Sequence, residues 1–367
     1  MRLIRLPVLL FATLLSSWLP AQEPQVPNQP GQLDPENTRV IRERVDVVVA
    51  PTTVLDKQGQ YVTGLSPSEF RLWDNDRPQS IRVEEAVQPI SMVVAIQANA
   101  KVEGVLPDIR KIGPMINQLV AGENGEIAVL AFDHRIQMLQ DFTADPNKIQ
   151  DALQRVRPGS SSSRLIDTAI EASRMLKTRE KDRRRVLMLI CETRDIASEG
   201  KMREALTDLE IANVIVYAVD ISRAFAEFTS KVPPPRPDPI PASARPPLAG
   251  VAPTPTQTAQ VYGLNGQSMQ ILPVIVEIFR AGRGIFVDNP VEVFTKYTGG
   301  KETGFMNMKD LEKAVSAIGR ELNNQYMISY NPSNTEEGGL HTLRVEVTRP
   351  NLEVRTRGGY WMAGVVK

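Results

Sequence analysis

The chain has 367 residues, too many for a single small core and enough for two or three domains. Its 43 basic and 43 acidic side chains cancel, so no charge excess argues for nucleic acid or an anionic membrane as partner. One cysteine and two histidines exclude an internal disulfide and a Cys/His zinc site within one chain.

In chain order, the first segment does not read as part of the fold. Arg2 and Arg5 precede an apolar run over 6–15, and a Ser-Ser-Trp-Leu-Pro-Ala stretch ends at Ala21. That is the layout of a secretory signal peptide over 1–21, with an apolar run short for a bilayer span. Export to the periplasm or the exterior follows as an expectation, and with it no membrane span after cleavage. A polar, proline-containing linker over 22–38 comes next.

A β-rich segment is expected over 39–88. Residues 45–55 (VDVVVAPTTVL) are rich in β-branched side chains, 70–73 and 81–86 alternate, and Asp74-Asn75-Asp76 reads as a turn. The alternation is taken to turn Val47, Val49, Phe70 and Leu72 inward. So few strands cannot close a core by themselves.

From residue 89 the texture becomes strand–helix alternation. Strands are predicted over 92–96, 126–132, 185–191 and 213–220, with helices near 105–120, 146–156, 164–177 and 199–211. Such alternation predicts an α/β domain over 89–323 with a mainly parallel sheet, whose ligands gather at the loops after the strands' carboxyl ends. A proline-rich insertion over 231–258 suits neither helix interior nor central strand and reads as a disordered spacer. Helices return near 268–281, 290–298 and 308–323; in the last, Leu311, Val315, Ile318 and Leu322 share one face. The tail, 324–367, alternates again as strands over 325–330, 341–347 and 352–357. Because neither β group suffices alone, the two are predicted to join in one β-sandwich with the α/β domain inserted between its halves.

Several stretches in this order carry a family resemblance: VLDKQGQYVTGLSPSEF at 54–70, AFDHRIQ at 131–137, TGG at 298–300, NQYMISYNP at 324–332 and RGGY at 357–360. From about 42 to 361 the chain resembles the von Willebrand factor A (VWFA) domain, and within it the secreted, Acidobacteria-type VWFA-related proteins. The resemblance implies a Rossmann-like domain with a metal-ion-dependent adhesion site. The family builds that site from Asp-x-Ser-x-Ser in a first loop, Thr in a second and Asp in a third. At the matching positions stand Gln97, Asn99 and Lys101, then Ser163, then Glu192, with Asp195 as an alternative in the third loop. The first-loop acid is thus replaced by amides, and an added ammonium would repel a dication.

The expectation is an exported, non-enzymatic protein-binding or scaffold protein with a degenerate adhesion site. No cofactor is called for, and Mg²⁺, Mn²⁺ or Ca²⁺ is not expected. Two alternatives stay open: weak metal-assisted adhesion through Glu192, Ser163 and Asp195, and a hydrolase using Glu192 and Asp195. For single residues the plain structural roles are a helix cap and loop tie at Gln97 and Asn99, an N-cap at Ser163, and a solvated Lys101.

Overall fold

The computed structural model describes residues 47–85, 88–119, 125–221, 272–280 and 287–362. The segments read as signal peptide, linker and proline-rich insertion lie outside the described residues.

The central sheet has six strands: β5 (Ile90–Gln97), β6 (Glu126–Phe132), β7 (Ile136–Thr143), β8 (Arg184–Cys191), β9 (Val214–Ile221) and β10 (Glu302–Phe305), in the order β10-β9-β8-β5-β6-β7. All pairs are parallel except β6 with β7. Helices cover both faces, which is why the central strands read as unbroken apolar runs. Met92, Val94 and Ile96 of β5 face one layer, which contains α1 (Leu106–Ile109), α2 (Gly113–Leu119), α3 (Pro146–Gln154) and α8 (Met308–Asn323). Val93 and Ala95 face the other, made by α4 (Leu165–Lys177), α5 (Met202–Ile211), α6 (Leu272–Arg280) and α7 (Pro290–Thr298).

One predicted helix, 105–120, is broken in two, and Pro114 explains it. A proline has no N–H for the carbonyl four residues back and clashes with it. That carbonyl belongs to Arg110, and it accepts instead from Gln150 Nε2 at 3.0 Å and Gln154 Nε2 at 3.1 Å, both in the α3 region. The break therefore docks a second helix. Strands β7 and β10 were not predicted: β7 is a polar-rich edge strand and β10 has only four residues.

The two flanking β segments form two four-stranded sheets, and each sheet draws on both ends of the chain. β1 (Val48–Leu55) and β4 (Ile81–Glu85) share a sheet with β11 (Tyr326–Tyr330) and β13 (Glu353–Arg355) in the order β13-β1-β11-β4. β2 (Phe70–Asp74) and β3 (Arg77–Pro78) share the other with β12 (Gly339–Val347) and β14 (Gly359–Met362), ordered β14-β12-β2-β3. Asn75 and Asp76 join β2 to β3 with φ of 48° and 60°, the left-handed pair a two-residue hairpin requires. One core cluster spans both sheets, with Val48, Ala50, Val54 and Ile328 on one side and Phe70, Leu72, Leu343 and Tyr360 on the other.

The expected phase of β1 is corrected by one residue. Val48, Ala50 and Val54 point inward, whereas Val47 is 45% exposed and Val49 faces the α/β domain. A one-residue slip exchanges the two faces of a strand. β1 is covered on both faces along its middle, so its run of Val, Ala and Thr carried no alternation from which to read the phase.

Arg357 and Arg355 tie the sandwich to the α/β domain. Arg357 donates through Nε to Gly359 O at 3.0 Å and through Nη1 to Val49 O at 3.4 Å, with Glu210 of α5 at 4.0 Å. Arg355 pairs with the buried Glu321 at 2.5 Å and donates to Gly300 O at 2.8 Å. The Thr298-Gly-Gly sequence ends α7: Gly299 takes φ +83°, and a Cβ on Gly300 would lie 1.9 Å from Val216 O.

Candidate functional site at the carboxyl end of the sheet

In chain order the sheet grows from β5 to β6 and β7 on one side, then to β8, β9 and β10 on the other. The switch point lies between β5 and β8, where open α/β sheets bind ligands. Gln97 ends β5 and Glu192 follows β8, and both side chains are buried there.

These two residues hold one another. The Glu192 amide N–H donates to Gln97 Oε1 at 2.8 Å, and Gln97 Nε2 donates to Glu192 Oε2 at 3.1 Å. An N–H can bind only the amide oxygen, so this bond orients the glutamine and turns its NH₂ toward the carboxylate. The ends of β5 and β8 are closed by a neutral donor on a carboxylate.

Of the remaining residues expected at the site, Asn99, Ser163 and Asp195 are engaged by neighbouring loops and Lys101 is not. Asn99 Oδ1 accepts from Val102 N–H at 3.3 Å, capping a short 3-10 turn over Ala100–Val105, and its Nδ2 donates to Ser161 O at 3.4 Å. Lys101 lies in that turn, partly exposed, and among the described residues it makes no hydrogen bond or ion pair. Ser163 is buried and donates to Arg194 O at 3.1 Å, so it stitches the second loop to the third rather than capping α4.

Asp195 caps α4. Its Oδ1 accepts from Leu165 N–H at 2.8 Å, Ile166 N–H at 3.2 Å and Ser198 Oγ at 2.6 Å. The N-cap residue itself, Arg164, supplies no side-chain acceptor, and a carboxylate from another loop meets the free amides and the positive end of the helix. Asp195 and Glu192 therefore serve different partners and do not form a carboxylate pair.

Asp133, to which the sequence assigned no role, organises the second loop. Its Oδ2 accepts from Ser160 N–H at 2.9 Å and lies 2.8 Å from His134 Nδ1, while Oδ1 accepts from Arg135 N–H at 2.8 Å. Burial would raise its pKa, but the Ser160 and Arg135 amides and His134 outweigh burial and hold it below the usual carboxylate range. Gly159 passes so close that a Cβ there would lie 2.0 Å from Asp133 Oδ2. His134 Nδ1 is also 2.9 Å from Ser160 Oγ. The same ring nitrogen meets acid and hydroxyl, whereas a nucleophilic triad needs opposite nitrogens for the two.

A hard dication requires several oxygen ligands with free lone pairs and anionic charge. Here Gln97 and Asn99 use their amide oxygens on backbone N–H groups, Ser163 is directed at a carbonyl, and the Glu192 carboxylate accepts from Gln97. Among the described residues no three His, Cys, Asp or Glu side chains gather as a metal cluster. This donor set does not fit the adhesion-site metal.

No family model and no curated protein matches the chain. Among solved structures there are similarities at low identity and with TM-scores below 0.5. The conserved hypothetical protein BatB from Bacteroides thetaiotaomicron is 13% identical and covers 63% of this chain and 99% of its own, with a TM-score of 0.36. A von Willebrand factor type A protein from Catenulispora acidiphila is 7% identical over 82% of this chain and 65% of its own, at a TM-score of 0.39. An aerotolerance-related membrane protein from Bacteroides fragilis is 14% identical over 64% and 98%, at 0.37. No helix among the described residues is long and apolar enough to cross a membrane.

Proposed function

We propose that the chain is an exported, non-enzymatic protein-binding or scaffold module of VWFA type whose sheet end works without a divalent metal. The observation that carries this reading is the Gln97–Glu192 pair at the switch point. In the family the corresponding first-loop residue is an anion. Here a neutral amide donates to the third-loop carboxylate, joining two loops that a metal would otherwise bridge. The surrounding bonds of Asn99, Ser163, Asp133 and Asp195 hold all three loops in one arrangement, and a preformed surface binds a partner at low entropic cost. Against hydrolysis stands the separate engagement of Glu192 and Asp195. Export rests on the charged and apolar start of the sequence, and fits a binding module that meets its partner outside the cytoplasm.

The test is thermal unfolding of the purified chain in millimolar Mg²⁺, Mn²⁺ and Ca²⁺, with and without a chelator, beside the triple variant Gln97→Asp, Asn99→Ser, Lys101→Ser. The parent should show no saturable stabilisation, and the variant should acquire one. A stoichiometric metal site in the parent would sink the metal-free reading; silence in both would mean the loops do not correspond to the family's. Mass determination of the exported chain checks cleavage near Ala21.

A further inference from the structure

We infer that the open edge of β7, with the acidic groove beside it, is a docking site for an extended partner segment whose groove-facing side chains, every second residue, are apolar at the centre and basic at the ends. This surface is independent of the sheet end, and three observations converge on it.

The first is the backbone. Among the described residues β7 is the last strand of the central sheet, and its pairing with β6 is regular from Ile136 to Met138. Asp133 N–H donates to Arg135 O at 2.9 Å across the tight connection between the strands. Bonded and non-bonded pairs alternate along an antiparallel ladder. Ala131 with Gln137 is thus a bonded pair, and Ile136 and Met138 turn their N–H and C=O groups away from β6, toward the open edge. Beyond Met138 the register is irregular, so the accessible template is short.

The second is the apolar floor. An open groove of about 620 Å³ runs between β7 and α4, floored by Leu130, Ile136, Met138 and Ile170. Met138 is 53% exposed, one of the few large apolar side chains among the described residues left so open. Ile136 and Met138 lie on the same sheet face, two residues apart, as the anchors of an added strand would require.

The third is charge. The rim carries Asp167, Glu171, Glu199 and Glu204 against Arg164 and Arg174, four carboxylates to two guanidiniums. Asp167 is engaged with Arg164 at 2.7 Å and with the amides of Glu199 and Gly200. Arg174 reaches Glu171 at 3.8 Å and Glu204 at 3.6 Å, long contacts between exposed side chains that an incoming cation can exchange with little loss. The groove thus favours lysine or arginine at its rim and an apolar residue at its floor. Strand addition supplies the affinity through the backbone, and alternate side chains supply the selectivity.

The test uses the purified chain and two synthetic peptides, acetyl-TKTVTVTKT-amide and acetyl-TETVTVTET-amide, in which the valines and the charged residues share one strand face, followed by fluorescence anisotropy and amide hydrogen exchange. The basic peptide should bind saturably and at least about tenfold more tightly than the acidic one, as roughly two favourable rim contacts imply. It should slow exchange at the Ile136 and Met138 amides. Met138→Lys should abolish binding, and Glu171→Lys with Glu204→Lys should weaken it about tenfold, with unfolding temperatures little changed because Met138 is exposed and the two ion pairs to Arg174 are long surface contacts. Met138→Pro removes an outward donor without touching the β6 ladder and should weaken binding too. Equal binding of both peptides, binding insensitive to all the variants, or unchanged exchange at Ile136 and Met138 would each overturn the proposal. So would self-association of the parent that Met138→Lys dissolves, which would make the occupant a second copy of this chain.

Discussion

Asp74 Oδ1 lies 2.7 Å from His341 Nδ1, joining residues 267 positions apart inside the sandwich, and both side chains are fully buried. The other carboxylate oxygen accepts from Tyr330 Oη at 2.8 Å and Tyr360 Oη at 2.7 Å, and Asn334 Nδ2 approaches Oδ1 at 3.3 Å. Every one of these partners comes from the C-terminal segment, whereas Asp74 ends β2 in the N-terminal one. A buried charge without such donors would be costly, so this carboxylate specifies how the two ends of the chain meet.

Asp74→Ala should therefore destabilise the chain by about 3–5 kcal/mol, since it leaves two tyrosine hydroxyls and a histidine N–H buried without an acceptor. Tyr330→Phe should cost less, roughly 1–2 kcal/mol. Burial alone would raise the Asp74 pKa, but the bonds from His341, Tyr360 and Tyr330 outweigh it and lower the pKa. A lowered carboxylate pKa stabilises fully above the unfolded value of about 3.8 and loses that contribution as pH falls through the folded value. Urea titrations should show an acid-side loss of stability that is smaller in Asp74→Asn, where the contribution of Asp133 remains. Equal acid sensitivity in both would refute the assignment.

Glu302 titrates in the opposite sense. Burial, with Asp220 and Glu292 nearby, pushes its pKa from 4.5 up to about 7. The folded state then holds the proton more tightly than the unfolded state, so the residue increasingly destabilises the fold as pH rises from 4.5 to about 7. Glu302→Gln should raise the unfolding temperature at pH 8 and have little effect at pH 5. A gain of equal size at both pH values would place the effect elsewhere.

Gly300→Ala should be among the most damaging single substitutions in the α/β domain. Its Cβ would meet backbone, Val216 O at 1.9 Å, where no side chain can move aside. Gly64→Ala has nothing within 4 Å and only a φ of +71° against it, and should cost on the order of 1 kcal/mol. Denaturant midpoints of the two variants, side by side, check the contrast.

Deleting 324–367 removes β11 to β14 together and so strips neighbours from both sheets at once. Amides of β1, β2 and β4 should lose protection from hydrogen exchange, with Val48, Ala50, Phe70 and Leu72 newly exposed. Full protection over 48–85 in the truncated chain would mean that the N-terminal strands fold by themselves.

Much of the architecture was legible because it depends on local composition. The apolar runs over 92–96, 127–132 and 186–191 have no polar phase, as a strand covered on both faces requires; each lies within an observed strand of the central sheet. The heptad-like spacing of Leu311, Val315, Ile318 and Leu322 likewise marked α8 and its buried face. The β7 edge strand escaped because one side of it has no strand partner, so Gln137, Gln140 and Asp141 dilute its apolar alternation.

The sequence by itself determined what each site residue could be: a neutral glutamine in the first loop where the family places an anion, and the carboxylates Glu192 and Asp195 in the third. Which atom each residue would bind was a matter of tertiary structure. Gln97 and Glu192 are 95 positions apart, and only the crossover that lays β8 against β5 brings amide to carboxylate. Asp195 could have served as a ligand, but the packing of α4 sets free N–H groups 2.8 and 3.2 Å from it, and those take its oxygen. Asp133 was in plain view and carried no signal, because its partner amides at Ser160 and Arg135 are backbone groups that every residue possesses. Residue types are written in the chain, whereas hydrogen-bond partners are assigned by the fold, since a buried polar atom must take whichever partner the packing sets within reach.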